Sequence, residues 1–203
     1  MFYDTKTYGH GLPHDPLKAV VAPRPIGWIS ALDGQGRVNL SPYSFFNMFS
    51  TRPPILGFSS EGMKDAVSFI AETGEFVCNL ATWDLRDAMN ATSAPLPRGV
   101  SEFAHAGLEE EPSRLVKPPR VKGVPAAIEC RLVEIIRLKT SEGEVLDRHL
   151  VLGHVVGVHL DERYITPEGR FDMTKARTIA RCGYQDYAVV DTLFTMTRPA
   201  GGG

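Results

Sequence analysis

Apolar and polar positions switch between two periods along this chain. Residues 26–32 are almost continuously apolar and residues 37–46 are strand-like, with Asp33-Gly34-Gln35-Gly36 between them. Asp-Gly between two such runs predicts a β-hairpin. Residues 54–59 predict another short strand. Met63, Val67 and Ile70 recur at i, i+4 and i+7, which predicts a helix over 63–73 that stops at Gly74. Residues 75–80 return to strand. Thr82 is a candidate cap for a second helix with Leu85, Ala88, Met89 and Thr92 on one face. Ile128, Cys130 and Leu132 alternate with Glu129 and Arg131 in a long strand over 126–138, and the phase slip at 133–136 predicts a β-bulge or barrel corner. Ser141 to Glu144 make a turn, and 145–160 run back as a second long strand. Asp172 is a candidate cap for a short helix over 173–181. The sum is a mostly β fold of about six antiparallel strands with helices inserted between them, a count that suits a small barrel. Residues 1–16 read as an arm, 17–190 as one domain and 191–203 as a tail whose last three glycines read as a mobile end. Residues 93–125 form a long Pro- and Gly-rich excursion with a short helix near 103–106.

Composition acts by exclusion. A chain of 203 residues suits one domain, and a net charge of −2 offers no basic excess for nucleic acid or an anionic membrane. Cys78, Cys130 and Cys182 are odd in number and form no CxxC pair, which argues against a disulfide framework. Cys78 and Cys130 sit in strand-like runs and read as small core residues. No apolar run approaches the ~20 residues of a membrane span, and the start lacks a basic, apolar leader. The expected location is therefore the reducing cytoplasm. Phosphate-loop, dinucleotide-fold, HExxH and GxSxG motifs are absent. His149, His154 and His159 are spaced by five on one strand, so neighbouring ones face opposite ways and no metal site is expected.

The chemistry concentrates in residues 22–65. Ser59 and Ser60 end a strand, Gly62 follows, and Lys64-Asp65 open a helix. Hydroxyls, an ammonium and free helix amides make a cradle for a phosphate. The competing reading is a plain helix cap before residue 65. Asn39-Leu40-Ser41-Pro42-Tyr43-Ser44-Phe45-Phe46-Asn47 mixes aromatic with small polar residues. That suits a flat heteroaromatic ligand, or equally an amphipathic strand with Leu40, Phe45 and Phe46 in the core. Trp28 fits either a ligand stack or the core.

Ala22-Pro23-Arg24-Pro25-Ile26-Gly27-Trp28-Ile29-Ser30, then residues 39–47, then Lys64-Asp65, resemble the flavin reductase-like proteins. These include flavoredoxins and the reductase components of two-component monooxygenases. Asp147-Arg148-His149 through Gly153-His154-Val155 is similar to the family's DHxxxxGxV pattern, with Arg148 intervening between Asp and His. Arg181-Cys182-Gly183-Tyr184-Gln185-Asp186-Tyr187 is similar to its C-terminal Arg-x-Gly-x-x-x-Tyr element. The resemblance spans residues 17–190. It implies a Greek-key FMN-binding split β-barrel, a homodimer with FMN near the subunit interface, and NAD(P)H as co-substrate. By position, Ser41, Pro42, Tyr43, Ser44, Phe45 and Phe46 would line the flavin ring and Asn47 would make a polar contact. Ser59, Ser60, Lys64 and Asp65 would surround the phosphate. Arg24 and Trp28 would flank the ring or ribityl chain. His149 is a candidate for positioning nicotinamide, and no other side chain is assigned a catalytic role.

Three functions compete. The first is an NAD(P)H-dependent flavin reductase, which transfers hydride to flavin N5 and can release reduced flavin to a partner monooxygenase. The second is a non-enzymatic FMN electron carrier of flavoredoxin type. The third is a β-barrel binding module with no redox role. A chain of 203 residues leaves no room for a separate nicotinamide domain, so NAD(P)H would share the flavin's pocket.

Overall fold

The computed structural model describes residues 1–199, and the terminal glycine triplet at 201–203 lies outside them. A one-turn helix α1 (Leu17–Val20) leads into strands β1 (Arg24–Pro25), β2 (Gly27–Leu32), β3 (Val38–Tyr43), β4 (Phe46–Thr51) and β5 (Pro54–Glu61). Helix α2 (Asp65–Thr73), strand β6 (Glu75–Leu80) and helices α3 (Arg86–Ala91) and α4 (Glu102–His105) follow. Two short strands, β7 (Glu110–Glu111) and β8 (Arg120–Val121), precede the long pair β9 (Ala126–Lys139) and β10 (Val145–Leu160). Helix α5 (Met173–Ala176) and the strands β11 (Ile179–Gly183) and β12 (Asp186–Val189) complete the order.

Seven strands, close to the expected count of about six, make the main sheet, in the order β3-β2-β6-β9-β10-β5-β4. Every pairing in it is antiparallel. The sheet runs from β3 at one edge to β4 at the other without closing. A second sheet pairs β1, β11 and β12 in the order β1-β11-β12, with β1 just ahead of β2 in the chain. The expected bulge is real. Leu152 faces Glu134 and Gly153 faces Leu132, so Val133 is the extra residue on β9.

The strands β2 and β6 are nearly continuous apolar runs because both of their faces are covered. Ile29, Ala31, Phe76 and Cys78 pack with Val67, Phe69 and Ile70 of α2. Trp28, Val77 and Ala127 face the other way, onto Met89, Phe103, Val116 and Val121. The excursion at 93–125 is therefore the lid of a second core. Three buried polar groups fasten it. Glu102 accepts from the Asn39 amide (2.8 Å) and the Leu40 N–H (3.0 Å), Asn79 accepts from the Val121 N–H (2.8 Å), and Glu129 accepts from the N–H groups of Arg114, Leu115 and Val116.

Three expectations need correction. Thr82 does not cap a helix. It bridges to Thr178, and α3 begins four residues later behind Leu85. The helix at 173–181 has the Asp172 cap, which accepts from the Lys175 N–H, but it ends where Arg177 turns left-handed at φ 50°. The Thr178 and Ile179 that follow are β-branched and lead into β11. The run at 37–46 is split, since the chain turns at 44–45 and β4 joins the opposite edge of the sheet.

Trp28 is fully buried, and its indole N–H donates to Thr92 Oγ1 (2.9 Å), whose own hydroxyl donates to the Met89 carbonyl (2.7 Å). Thr92→Val leaves that indole N–H without a partner. It is expected to cost about 1–2 kcal/mol of stability, measured by urea unfolding. Among the described residues no helix is long and apolar enough to cross a membrane.

Candidate functional site

The turn at Ser44-Phe45 is the hinge of the site. Tyr43 ends β3 pointing inward, with its ring 4.5 Å from that of Phe58. The Phe45 carbonyl then accepts from the Ser59 N–H (2.8 Å) and starts the second edge of the sheet. Phe46 lies flat on Gly27, where a Cβ would stand 2.6 Å from its ring, so only glycine admits it there. Among the described residues, the amide N–H groups of Ser44 and Phe45 have no hydrogen-bond partner.

Two cavities meet at this turn, and a third adjoins the first of them. The first, about 340 Å³, is bounded by Arg24, Pro42, Ser44, Phe45, Arg181 and Tyr184. The second, about 680 Å³, shares Arg24, Ser44 and Phe45 with it and adds Phe46, Asn47 and Ser59. The third, about 440 Å³, shares Pro42 and Ser93 with the first and runs to Ser41, Tyr43, Lys64, Asp65 and Arg98. Together they form one groove that wraps the β3–β4 turn.

The groove has polar groups at both ends. Arg24 is buried. Its guanidinium donates to the carbonyls of Lys18 and Val21, which holds α1 beside the groove, while its Nε has no partner. The guanidinium lies 5.7 Å from the Phe45 ring. At the other end Lys64 is the N-cap of α2 with no side-chain cap bond, so the first-turn amides of that helix are uncapped. Among the described residues Lys64 has no ion-pair partner. Asp65 is 4.0 Å from Arg98, which also meets Glu72 at 3.1 Å and lies 4.9 Å from the Phe69 ring. Burial pushes the Glu102 carboxyl above its ordinary value, against its bonds to Leu40 and Asn39. It pushes the Tyr43 phenol up to about 12, so this phenol stays a neutral donor.

The groove gathers Arg24, Ser41, Pro42, Tyr43, Ser44, Phe45, Phe46, Asn47, Lys64 and Asp65. Ser59 is on it too, but in the second cavity, away from Lys64. Ser60 is 1% exposed and donates to the Gly62 carbonyl (3.1 Å), so its hydroxyl does not line the groove. Successive strand residues point to opposite faces, which is why the two serines cannot share one phosphate. Trp28 offers no open face for stacking and belongs to the core. His149 pairs in register with Ser60 and is 8% exposed, on the interior face, while Leu150 and Ser59 face the second cavity. It is not placed to meet a nicotinamide at the turn. Asp147 Oδ1 is 4.0 Å from its Nδ1.

Arg181, Tyr184 and Tyr187 line the first cavity and Arg98 the third, though none was expected in a site. The 181–187 element carried a signal, the Arg-x-Gly-x-x-x-Tyr pattern. Arg98 carried none, since it lies in an excursion without periodicity.

The chain matches the family model described as "Flavin reductase like domain" over residues 21–173. It is 32% identical over 173 residues to an uncharacterized protein of Aquifex aeolicus, covering 83% of this chain and 85% of that one. Its structure resembles nitrilotriacetate monooxygenase component B from Bacillus cereus, with TM-score 0.86, 27% identity and coverage of 97% and 98% of the two chains. A split barrel protein from Shewanella frigidimarina shares the fold at TM-score 0.82 and 23% identity, over 98% of this chain and all (100%) of that one. An open seven-stranded antiparallel sheet with this groove at its turn is thus a flavin-protein split barrel, and the chain belongs to the flavin reductase like domain family.

Proposed function

We propose that this chain binds FMN along the groove and acts as an NAD(P)H-dependent flavin reductase. One observation carries the reading. Two partnerless backbone donors, on Ser44 and Phe45, stand where the first two cavities meet, and the third, which adjoins the first at Pro42 and Ser93, holds Lys64 and the uncapped start of α2.

These residues fit the cofactor. A phosphate dianion needs fixed donors, and the Lys64 ammonium and the α2 amides supply them, with Arg98 beside. Ser41 borders the same cavity. The polar edge of the flavin ring needs donors, and the Ser44 and Phe45 amides and Arg24 Nε supply those. Pro42, Phe45 and Tyr184 wall the ring. When bound, FMN supplies a hydride acceptor at N5 for NAD(P)H. The chain's task is to hold the ring with one face open, so that a donor stacks within ~3–3.5 Å. No side chain needs to move a proton.

Phe45 and Lys64 on the groove are exposed in the single chain, which suits exchange of flavin with solvent or with a partner monooxygenase. The exposed edge strand β4 carries Met48 and Phe49 outward, next to an exposed Phe45. An apolar free edge beside the groove is a surface that a second copy would cover, giving a homodimer.

Steady-state oxidation of NADH and NADPH with excess free FMN tests the reading. Many turnovers per chain are expected. A single stoichiometric reduction of tightly bound FMN would instead make the protein a carrier of flavoredoxin type. A protein that takes up no flavin at all would leave a binding module without redox chemistry.

A further inference from the structure

A cavity of about 580 Å³ opens beside the first one and shares Met89, Asn90, Arg181 and Tyr187 with it. Neither the flavin phosphate nor the ring, as placed above, reaches it. Its size is in the range of small-molecule sites. Its lining includes Trp83, Arg86 and Gln185.

The chemistry of this lining is specific. Trp83 is 39% exposed; its backbone N–H donates to the Arg177 carbonyl (2.9 Å), and the Arg177 guanidinium lies 5.1 Å from its ring. Arg177 is a left-handed non-glycine residue at φ 50°, a conformation kept only where the surroundings fix it. The Arg86 guanidinium lies 4.2 Å from the Trp83 ring and is anchored by its bond to the Trp83 carbonyl (2.7 Å). Arg181 lies 4.6 Å from the Tyr187 ring and donates to its hydroxyl (2.6 Å). Two aromatic rings, Trp83 with Arg86 and Arg177 against it and Tyr187 with Arg181 against it, thus share one cavity with the amides of Asn90 and Gln185. Arg86 has one carboxylate near it, Asp87 at 3.4 Å, which is exposed. Anchored guanidinium groups with unused N–H donors suit phosphate, and planar groups suit a purine. The side-chain amides suit the purine's polar edge.

We propose that this cavity is a subsite for an adenosine phosphate, with the base against Trp83 and Tyr187 and the phosphate at Arg86 and Arg181. The choice of dinucleotide that brings the adenylate there rests on the flavin reading. For a reductase it is the ADP half of NAD(P)H, whose nicotinamide end would reach the flavin through the shared wall at Asn90 and Arg181. The AMP half of FAD has the same chemistry.

The test begins with calorimetric titration of the FMN-loaded protein with ADP-ribose, which carries no nicotinamide and no flavin. Saturable binding is expected, weakened roughly 10-fold or more in Trp83→Ala and in Arg86→Ala. Arg86 is a surface residue, so its variant keeps the test open if Trp83→Ala fails to fold. Steady-state kinetics then compare NADH with reduced nicotinamide mononucleotide, which lacks the adenylate. Either variant should raise KM for NADH and leave the mononucleotide unchanged. If FAD is the source, the variants should instead weaken FAD and spare FMN. No ADP-ribose binding by the unaltered protein, or equal binding by both variants, overturns the subsite. Variant-sensitive ADP-ribose binding without any NADH oxidation would retain the subsite and end the reductase reading.

Discussion

Glu129→Ala is expected to lower folding stability by about 3–5 kcal/mol, because it breaks a buried charged hub rather than a surface pair. Glu129 is fully buried. It accepts from the Arg114 N–H at 2.7 Å, the Leu115 N–H at 2.6 Å and the Val116 N–H at 3.0 Å, and it is paired with His159 Nε2. Without the carboxylate, three amides of the excursion and the imidazole lose their acceptor. The lid over Trp28, Val77 and Ala127 would loosen, and α3, which borders the groove, rests on that same core. Burial alone would raise the Glu129 pKa, but the His159 bond and the amide bonds outweigh it, so the carboxyl sits below its ordinary value. A lowered folded-state value means the contribution is present above the unfolded pKa, ~4.3, and is lost as pH falls through it towards the lower folded value. Urea unfolding at pH 7 and near pH 3–4 checks this. The gap between the unaltered chain and the variant should be wide at pH 7 and shrink in acid.

The second large effect concerns the ligand. Lys64→Ala is expected to weaken FMN binding by about 1.5–3 kcal/mol, or at least ~10-fold in Kd. Riboflavin, which has no phosphate, should bind the variant and the unaltered chain alike. The loss should be largest at low ionic strength, since Lys64 is exposed and salt screens it. An equal loss for both ligands would place Lys64 away from the phosphate.

Much of the fold was legible wherever burial imposes a period. Strand 75–80 reads as a continuous apolar run because both of its faces pack on a core, and the helix through Val67 and Ile70 lies where the 3.6-residue repeat puts it, with one face on the first core. The split at Ser44-Phe45 was not legible. Phe46 to Phe49 carry no alternation, because Met48 and Phe49 are exposed on an edge strand. The hairpin of β11 and β12 was hidden behind a helix that stops at Arg177, and a left-handed arginine has no sequence signature.

The site was half legible for the same reason. Residue types near the turn suggested a heteroaromatic ligand, but pattern alone does not give a side chain's face when the strand's parity is unknown. Ser60 and His149 looked available and are buried side by side. Trp28 looked like a ligand platform and fills the second core. Arg98, Arg181 and Tyr187 converge on the groove from distant stretches of chain, which no local pattern records.

Titration of the purified, flavin-free chain with FMN, followed by the visible flavin spectrum, tests the central claim most directly. One FMN per chain is expected to bind saturably with a perturbed flavin band, and riboflavin is expected to bind at least ~10-fold more weakly. A chain that leaves the FMN spectrum unchanged and binds none would contradict it.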